Sequence, residues 1–171
     1  MAVHPAAERL VREFTRRGLT VATAESLTAG LCAATIAEVP GASAVLRGGV
    51  ITYATELKHN LAGVREETLR AHGPVAAETA AEMAAGAAKA CGADVGIALT
   101  GVAGPDPQDG HPVGEVFVAV CDGTGAIRVE NLYEQFARRR DSGEFDGLDS
   151  AQLRAEIRQF SVKCALELAS A

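Results

Sequence analysis

Between Asp94 and Thr100 the chain reads Val95, Gly96, Ile97, Ala98 and Leu99, an almost wholly apolar run bounded by polar residues. A run of this kind belongs to a strand covered on both faces, since an exposed face would show alternating polar residues. That requirement calls for packed layers on either side of a sheet. Two further runs resemble it. Thr20 to Ala24 is short, β-branched and apolar, and Leu46 to Ala54 contains Val50, Ile51, Thr52 and Tyr53.

Helix-forming stretches alternate with these strands. Ala7, Leu10, Val11 and Phe14 recur at helical spacing and stop at Gly18. Helices are also predicted over Thr28 to Ala37, Thr55 to Leu61 and Glu78 to Cys91, the last rich in Ala. After the turn-rich loop Thr100 to Gly114, Glu115 to Cys121 and a strand beyond Asp122-Gly123-Thr124-Gly125 form a hairpin. A final helix carries Leu153, Ile157, Phe160, Cys164 and Leu168 on one stripe, and the polar stretch Arg138 to Asp149 before it is expected to be disordered or mobile. Strand–helix units closed by a hairpin predict an α/β fold, a three-layer α/β/α sandwich with a mixed sheet, formed as one domain over residues 1–171.

Several functions are disfavoured by composition. The 171 residues hold 16 Lys and Arg against 22 Asp and Glu, a net charge of -6, and no basic patch suited to nucleic acid. Only 4% of residues are aromatic and Trp is absent, so stacking platforms for single strands are scarce. Cys32, Cys91, Cys121 and Cys164 have neither zinc-site nor disulfide-framework spacing, and His4, His59, His72 and His111 are scattered, so no metal is expected. Neither a signal peptide nor a membrane-length apolar run is visible, which predicts a cytoplasmic protein. The Ala-rich stretch Ala76 to Cys91 suits a subunit interface or cover for the sheet, and a homo-oligomer is the expected state.

Ligands of open α/β sheets bind where strands end. Glu25 and Ser26 follow the first strand, Tyr53 and Lys58 the second, Thr100 and Gly101 the third. If the three strands are parallel, these groups converge. Ser26 alone suits a helix cap, and Lys58 alone suits a solvated face. Together they suit acyl chemistry: a serine hydroxyl needs a base, a desolvated lysine can supply one, and the Tyr53 phenol can relay a proton or hold the amine. Thr100-Gly101-Val102-Ala103-Gly104-Pro105 has small residues whose N–H groups can approach an oxyanion or phosphate. Thr28-Ala29-Gly30, before a predicted helix, is a second candidate anion site.

The motifs Thr23-Ala24-Glu25-Ser26, Gly49-Val50-Ile51-Thr52-Tyr53-Ala54 with Lys58, Gly63-Val64, Thr100 to Pro105 and Pro112-Val113-Gly114 occur in an order that resembles the CinA carboxy-terminal domain family. Its characterised enzymes are nicotinamide-nucleotide amidases. The resemblance spans roughly Ala6 to Phe136. It implies hydrolysis of nicotinamide mononucleotide to the nicotinate nucleotide and ammonia, without a redox cofactor or metal. Ser26 becomes the nucleophile, Lys58 the base and Tyr53 the relay or orienting phenol. Thr28, Ala29, Gly30, Thr100, Gly101, Ala103 and Gly104 become substrate contacts. It also implies a standalone form of a domain often fused behind a larger one.

The chain departs from the family pattern in three places. Ser26-Leu27-Thr28-Ala29-Gly30 stands where Ser-Cys-Thr-Gly-Gly is usual, Glu115 stands where Thr is usual, and Arg138 to Asp149 replaces a Gly-Asp-Arg lead into the last helix. A carboxylate at 115 would repel a phosphate if it pointed into the pocket. These departures define the alternative, a nucleotide-binding or protein-interaction module of the same fold without turnover.

Overall fold

The computed structural model describes residues 3–171. Pro5 opens helix α1 (Pro5–Arg17) because its ring already holds the helical φ, and the His4 ring accepts from the Ala6 N–H at 3.2 Å. Five strands follow in chain order: β1 (Val21–Glu25), β2 (Leu46–Ile51), β3 (Val95–Gly101), β4 (Val116–Cys121) and β5 (Ile127–Asn131). Their order in the sheet is β2-β1-β3-β4-β5. β1 runs parallel to both β2 and β3, whereas β4 is antiparallel to β3 and β5 to β4, so the sheet is mixed. Glu25 lies opposite Ile51 on one side and Leu99 on the other, which brings the three parallel strands to a common carboxyl edge.

The remaining helices are α2 (Leu31–Ala37), α3 (Thr55–Asn60), α4 (Glu66–His72), α5 (Ala77–Cys91), α6 (Tyr133–Asp141) and α7 (Ser150–Ala169). Side-chain alternation along the strands divides the core by size. Val21, Ile97, Leu99, Val118 and Val120 face α1, α2 and α7, where Leu10, Phe14, Ile36, Ile157 and Leu166 meet them. On the opposite face Ala22, Ala24, Ala98 and Ala119 meet Ala80, Met83, Ala84 and Ala87 of α5. Small residues let α5 sit close. A Cβ on Gly96 would lie 1.8 Å from the Ala84 carbonyl oxygen, so no larger residue fits there. The Ala-rich stretch thus buries its stripe against the sheet. Helices on both faces make the three layers that the sequence predicts.

Three expectations need correction. α2 begins at Leu31 rather than Thr28, because Ala29 and Gly30 hold left-handed φ values of 49° and 98° and cannot continue a right-handed helix. α4 has no counterpart in the sequence reading. Arg138 to Asp149, expected to be disordered or mobile, is structured: α6 covers its start, and turns lead from there to α7. Phe145 provides the reason. Its ring stacks on Phe136 at 5.2 Å, the Arg139 guanidinium lies 5.2 Å from it and 4.5 Å from Phe160, and Arg139 also pairs with Glu144. Asp149 and Gln152 then close a capping box at the start of α7.

Candidate active site

The carboxyl edge of β1, β2 and β3 opens into a cleft of about 130 Å³. β1 ends in Glu25, and Ser26 follows it directly, its N–H bonded to the Leu99 carbonyl of β3 at 2.9 Å. Thr52 is fastened in the same way to the Glu25 carbonyl at 2.8 Å, and α3 then carries Lys58 back beneath the strand ends. The Lys58 ammonium nitrogen Nζ lies 3.0 Å from Ser26 Oγ and 2.9 Å from the Thr52 carbonyl oxygen. Lys58 is 2% exposed and Ser26 8%. Burial lowers the Lys58 pKa from its ordinary value to about 8, against a smaller opposing pull from the Glu56 carboxylate. A neutral amine in this position keeps an N–H on the Thr52 carbonyl and turns its lone pair to the serine O–H.

Tyr53 also lines the cleft but is 55% exposed. Its hydroxyl is held by Arg154 Nη2 at 2.8 Å and makes no hydrogen bond to Ser26 or Lys58, so the orienting partner in this geometry is Arg154. Arg154, on the first turns of α7, also donates through Nη1 to the Gly104 carbonyl. Sequence reasoning passed over this residue, although an arginine at the polar start of an otherwise apolar-striped helix was visible.

On the β3 side, Thr100, Gly101, Ala103 and Gly104 all line the cleft, joined by Asp106 and Gln108. Thr100 is fully buried, and its hydroxyl donates to the Pro74 carbonyl at 2.7 Å. Gly101 is required by close backbone approach: a Cβ there would fall 2.5 Å from the Glu115 carbonyl oxygen. The N–H of Val102 is bound to that carbonyl at 2.9 Å, whereas those of Ala103 and Gly104 have no acceptor among the described residues. The same holds for Leu27, the residue after Ser26.

Thr28, Ala29 and Gly30 are not brought into this cleft. Thr28 is buried with its hydroxyl unpartnered, and Ala29 is exposed. The donors at the start of α2 already have an acceptor: buried Glu25 takes the N–H groups of Gly30 and Cys32 at 3.0 Å and that of Ala33 at 2.9 Å. Glu25, rather than Ser26, is the cap that satisfies this helix start, and the anion for which the turn was read is a side chain of the protein itself. On the far side of the turn, Arg158 of α7 donates to the Leu27 and Thr28 carbonyls at 3.0 Å each.

Of the other departures from the family pattern, Leu27 lines the cleft, whereas Glu115 and the stretch Arg138 to Asp149 lie outside it. Glu115 is bonded to His111 Nδ1 at 2.7 Å and receives the Asn131 side-chain amide at 3.1 Å. Among the described residues, no helix is long and apolar enough to cross a membrane. No three His, Cys, Asp or Glu side chains among them gather at metal-binding spacing.

A family model described as the CinA C-terminal domain matches residues 3–171. A CinA-like protein of Frankia casuarinae is 48% identical over 112 residues, covering 66% of this chain and 26% of that protein. The chain therefore spans about a quarter of the length of such relatives. Among solved structures, the competence/damage inducible protein CihA of Agrobacterium tumefaciens superposes with a TM-score of 0.82 at 35% identity, covering 98% of this chain and 96% of that one. A CinA superfamily protein of Klebsiella pneumoniae gives a TM-score of 0.80 at 30% identity, covering 99% and 98%.

Proposed function

The chain belongs to the CinA C-terminal domain family, and on that premise we propose that it is a serine amidohydrolase that converts nicotinamide mononucleotide to nicotinate mononucleotide and ammonia. The observation that carries the reading is the 3.0 Å approach of Lys58 Nζ to Ser26 Oγ in a cleft at the sheet edge. A solvated lysine and a helix-capping serine have no reason to be buried against each other. A lysine that loses its proton near pH 8 supports the role of general base.

The chemistry follows in two balanced halves. Ser26 Oγ attacks the carboxamide carbon while its proton passes to Lys58. The carbonyl oxygen becomes an oxyanion, for which the free N–H groups of Leu27, Ala103 and Gly104 are the candidate donors. Collapse breaks the C–N bond, and Lys58 returns the proton to the departing nitrogen as ammonia. Water then attacks the resulting ester with Lys58 again as base, releasing the carboxylate and restoring the serine. Arg154, the cleft's other cation, suits the phosphate of the nucleotide, with Tyr53 held beside it.

The alternative of a module without turnover drew on Ala29, Glu115 and the stretch before α7. Ala29 and Glu115 lie outside the cleft, and α7 supplies Arg154 to it, which favours the enzyme. Purified protein incubated with nicotinamide mononucleotide and a chelator should release ammonia, and folded Ser26→Ala protein should not. Equal release by both proteins would discard the reading.

A further inference from the structure

We propose that Arg158 is a positioning residue for this site: by gripping two carbonyls of the turn after Ser26, it sets the direction of the backbone N–H groups beside the nucleophile. The proposal rests on the reading of Ser26 as nucleophile and extends it to a residue that does not line the cleft.

The argument starts from the planar peptide. In a trans peptide the C=O and N–H point in opposite directions, so holding one aims the other. Arg158 Nε binds the Leu27 carbonyl at 3.0 Å, which aims the Thr28 N–H. Arg158 Nη2 binds the Thr28 carbonyl at 3.0 Å, which aims the Ala29 N–H. That N–H reaches the Ser26 carbonyl at 3.1 Å, and the Ser26 carbonyl in turn aims the N–H of Leu27. One guanidinium therefore governs three successive peptide planes, ending at the free donor next to the nucleophile.

The turn needs such a grip. Ala29 sits at a φ of 49°, a conformation costly for a residue with a Cβ. Glu25 holds the turn from its N–H side, and Arg158 holds it from its C=O side. α7 itself is held against the sheet by core residues such as Ile157 and Leu166, so loss of the grip leaves Arg154 in place. The planar fork holds the two carbonyls through separate nitrogens at a fixed spacing, which a lysine ammonium, a single point on a flexible stem, does not reproduce.

The test compares wild type with Arg158→Lys and Arg158→Ala, with the exposed-residue change Gln159→Ala as control. Two readouts are used: kcat and KM for ammonia release from nicotinamide mononucleotide, and the rate at which a fluorophosphonate probe labels Ser26. Both Arg158 variants should lose about tenfold or more in kcat with KM changed by less than about twofold, as expected when alignment alone is disturbed. Probe labelling should slow by a similar factor, and the control should match wild type.

The midpoint of the pH–rate profile should stay near 8, since burial and Glu56, not Arg158, set the Lys58 pKa. A folded Arg158→Lys protein with wild-type kcat and labelling overturns the proposal, as does a loss confined to KM. If wild type is labelled at Ser26 but makes no ammonia, the substrate assignment fails and the labelling rates still decide the role of Arg158. Failure of wild type to be labelled at Ser26 overturns both.

Discussion

The turn after β1 and the loop after β3 have similar compositions, both small and glycine-containing, yet the fold uses them in opposite ways. After β1, Glu25 occupies the N–H groups of Gly30, Cys32 and Ala33, and Arg158 occupies the carbonyls of Leu27 and Thr28. Apart from the Leu27 N–H beside Ser26, which stays without an acceptor, the protein supplies partners for the backbone at both ends of that turn, and the turn serves to hold Ser26. After β3, Thr100, Gly101, Ala103 and Gly104 line the cleft, and two of their N–H groups remain without acceptors. Small residues permit close approach in both cases. Which of them meets a ligand depends on whether the protein has already supplied the partner.

The largest test of this contrast is at its fulcrum. Ser26→Ala should lower ammonia release by at least about a thousandfold while circular dichroism shows an intact fold. A pH series comes next. Lys58 must be neutral to accept a proton, so kcat/KM should climb through about pH 8 and level off above it. Below that midpoint it should fall about tenfold per unit.

Stability should follow the same group. Between about 8 and the ordinary value of 10.5 the folded lysine is neutral while the unfolded one still holds its proton. The unfolded state thus binds more protons, and wild-type stability should rise with pH across that window relative to Lys58→Met. Denaturant titrations of both proteins at the two ends of the window would show this, and parallel curves would refute it.

Arg154→Ala should raise KM for the nucleotide about tenfold, the loss expected for a charge-assisted contact. An unchanged KM would remove the phosphate role. On the β3 side, Gly101→Ala places a methyl against the Glu115 carbonyl and should cost about 1–3 kcal/mol in thermal or chemical unfolding. The smallest effect should come from the β1 turn. Ala29→Gly relieves the left-handed φ and should stabilise by less than about 1 kcal/mol, leaving KM unchanged. A large fall in KM would show that the turn touches substrate at Ala29 and would break the contrast.

The layered fold was legible because apolar runs, helical stripes and turn residues agree along the chain. The pairing of Ser26 with Lys58 was legible as soon as the strands proved parallel, since their ends then share an edge. Arg154 and Arg158 were not legible. They reach Tyr53, Leu27 and Thr28 across separations of 101 to 131 residues, and no local pattern says which loops a helix will face. That Glu25 occupies the donors of Gly30, Cys32 and Ala33 was not legible without an accounting of donors, although Glu25 stands only five residues before Gly30. Arg138 to Asp149 was misread because its charges outnumber Phe145, whose ring organises the segment.

Because Arg154 and Arg158 both lie on α7, the site is assembled in an order set by translation. Every residue of the cleft but Arg154 leaves the ribosome earlier, and an elongating chain that has reached only Asp149 already carries the serine and the lysine but neither guanidinium. Such a nascent domain holds Ser26 on a turn that Arg158 does not yet grip. Under the proposed reaction, full competence for hydrolysis is thereby deferred until the last helix docks, and a stalled or clipped product ending before it lacks both guanidinium groups.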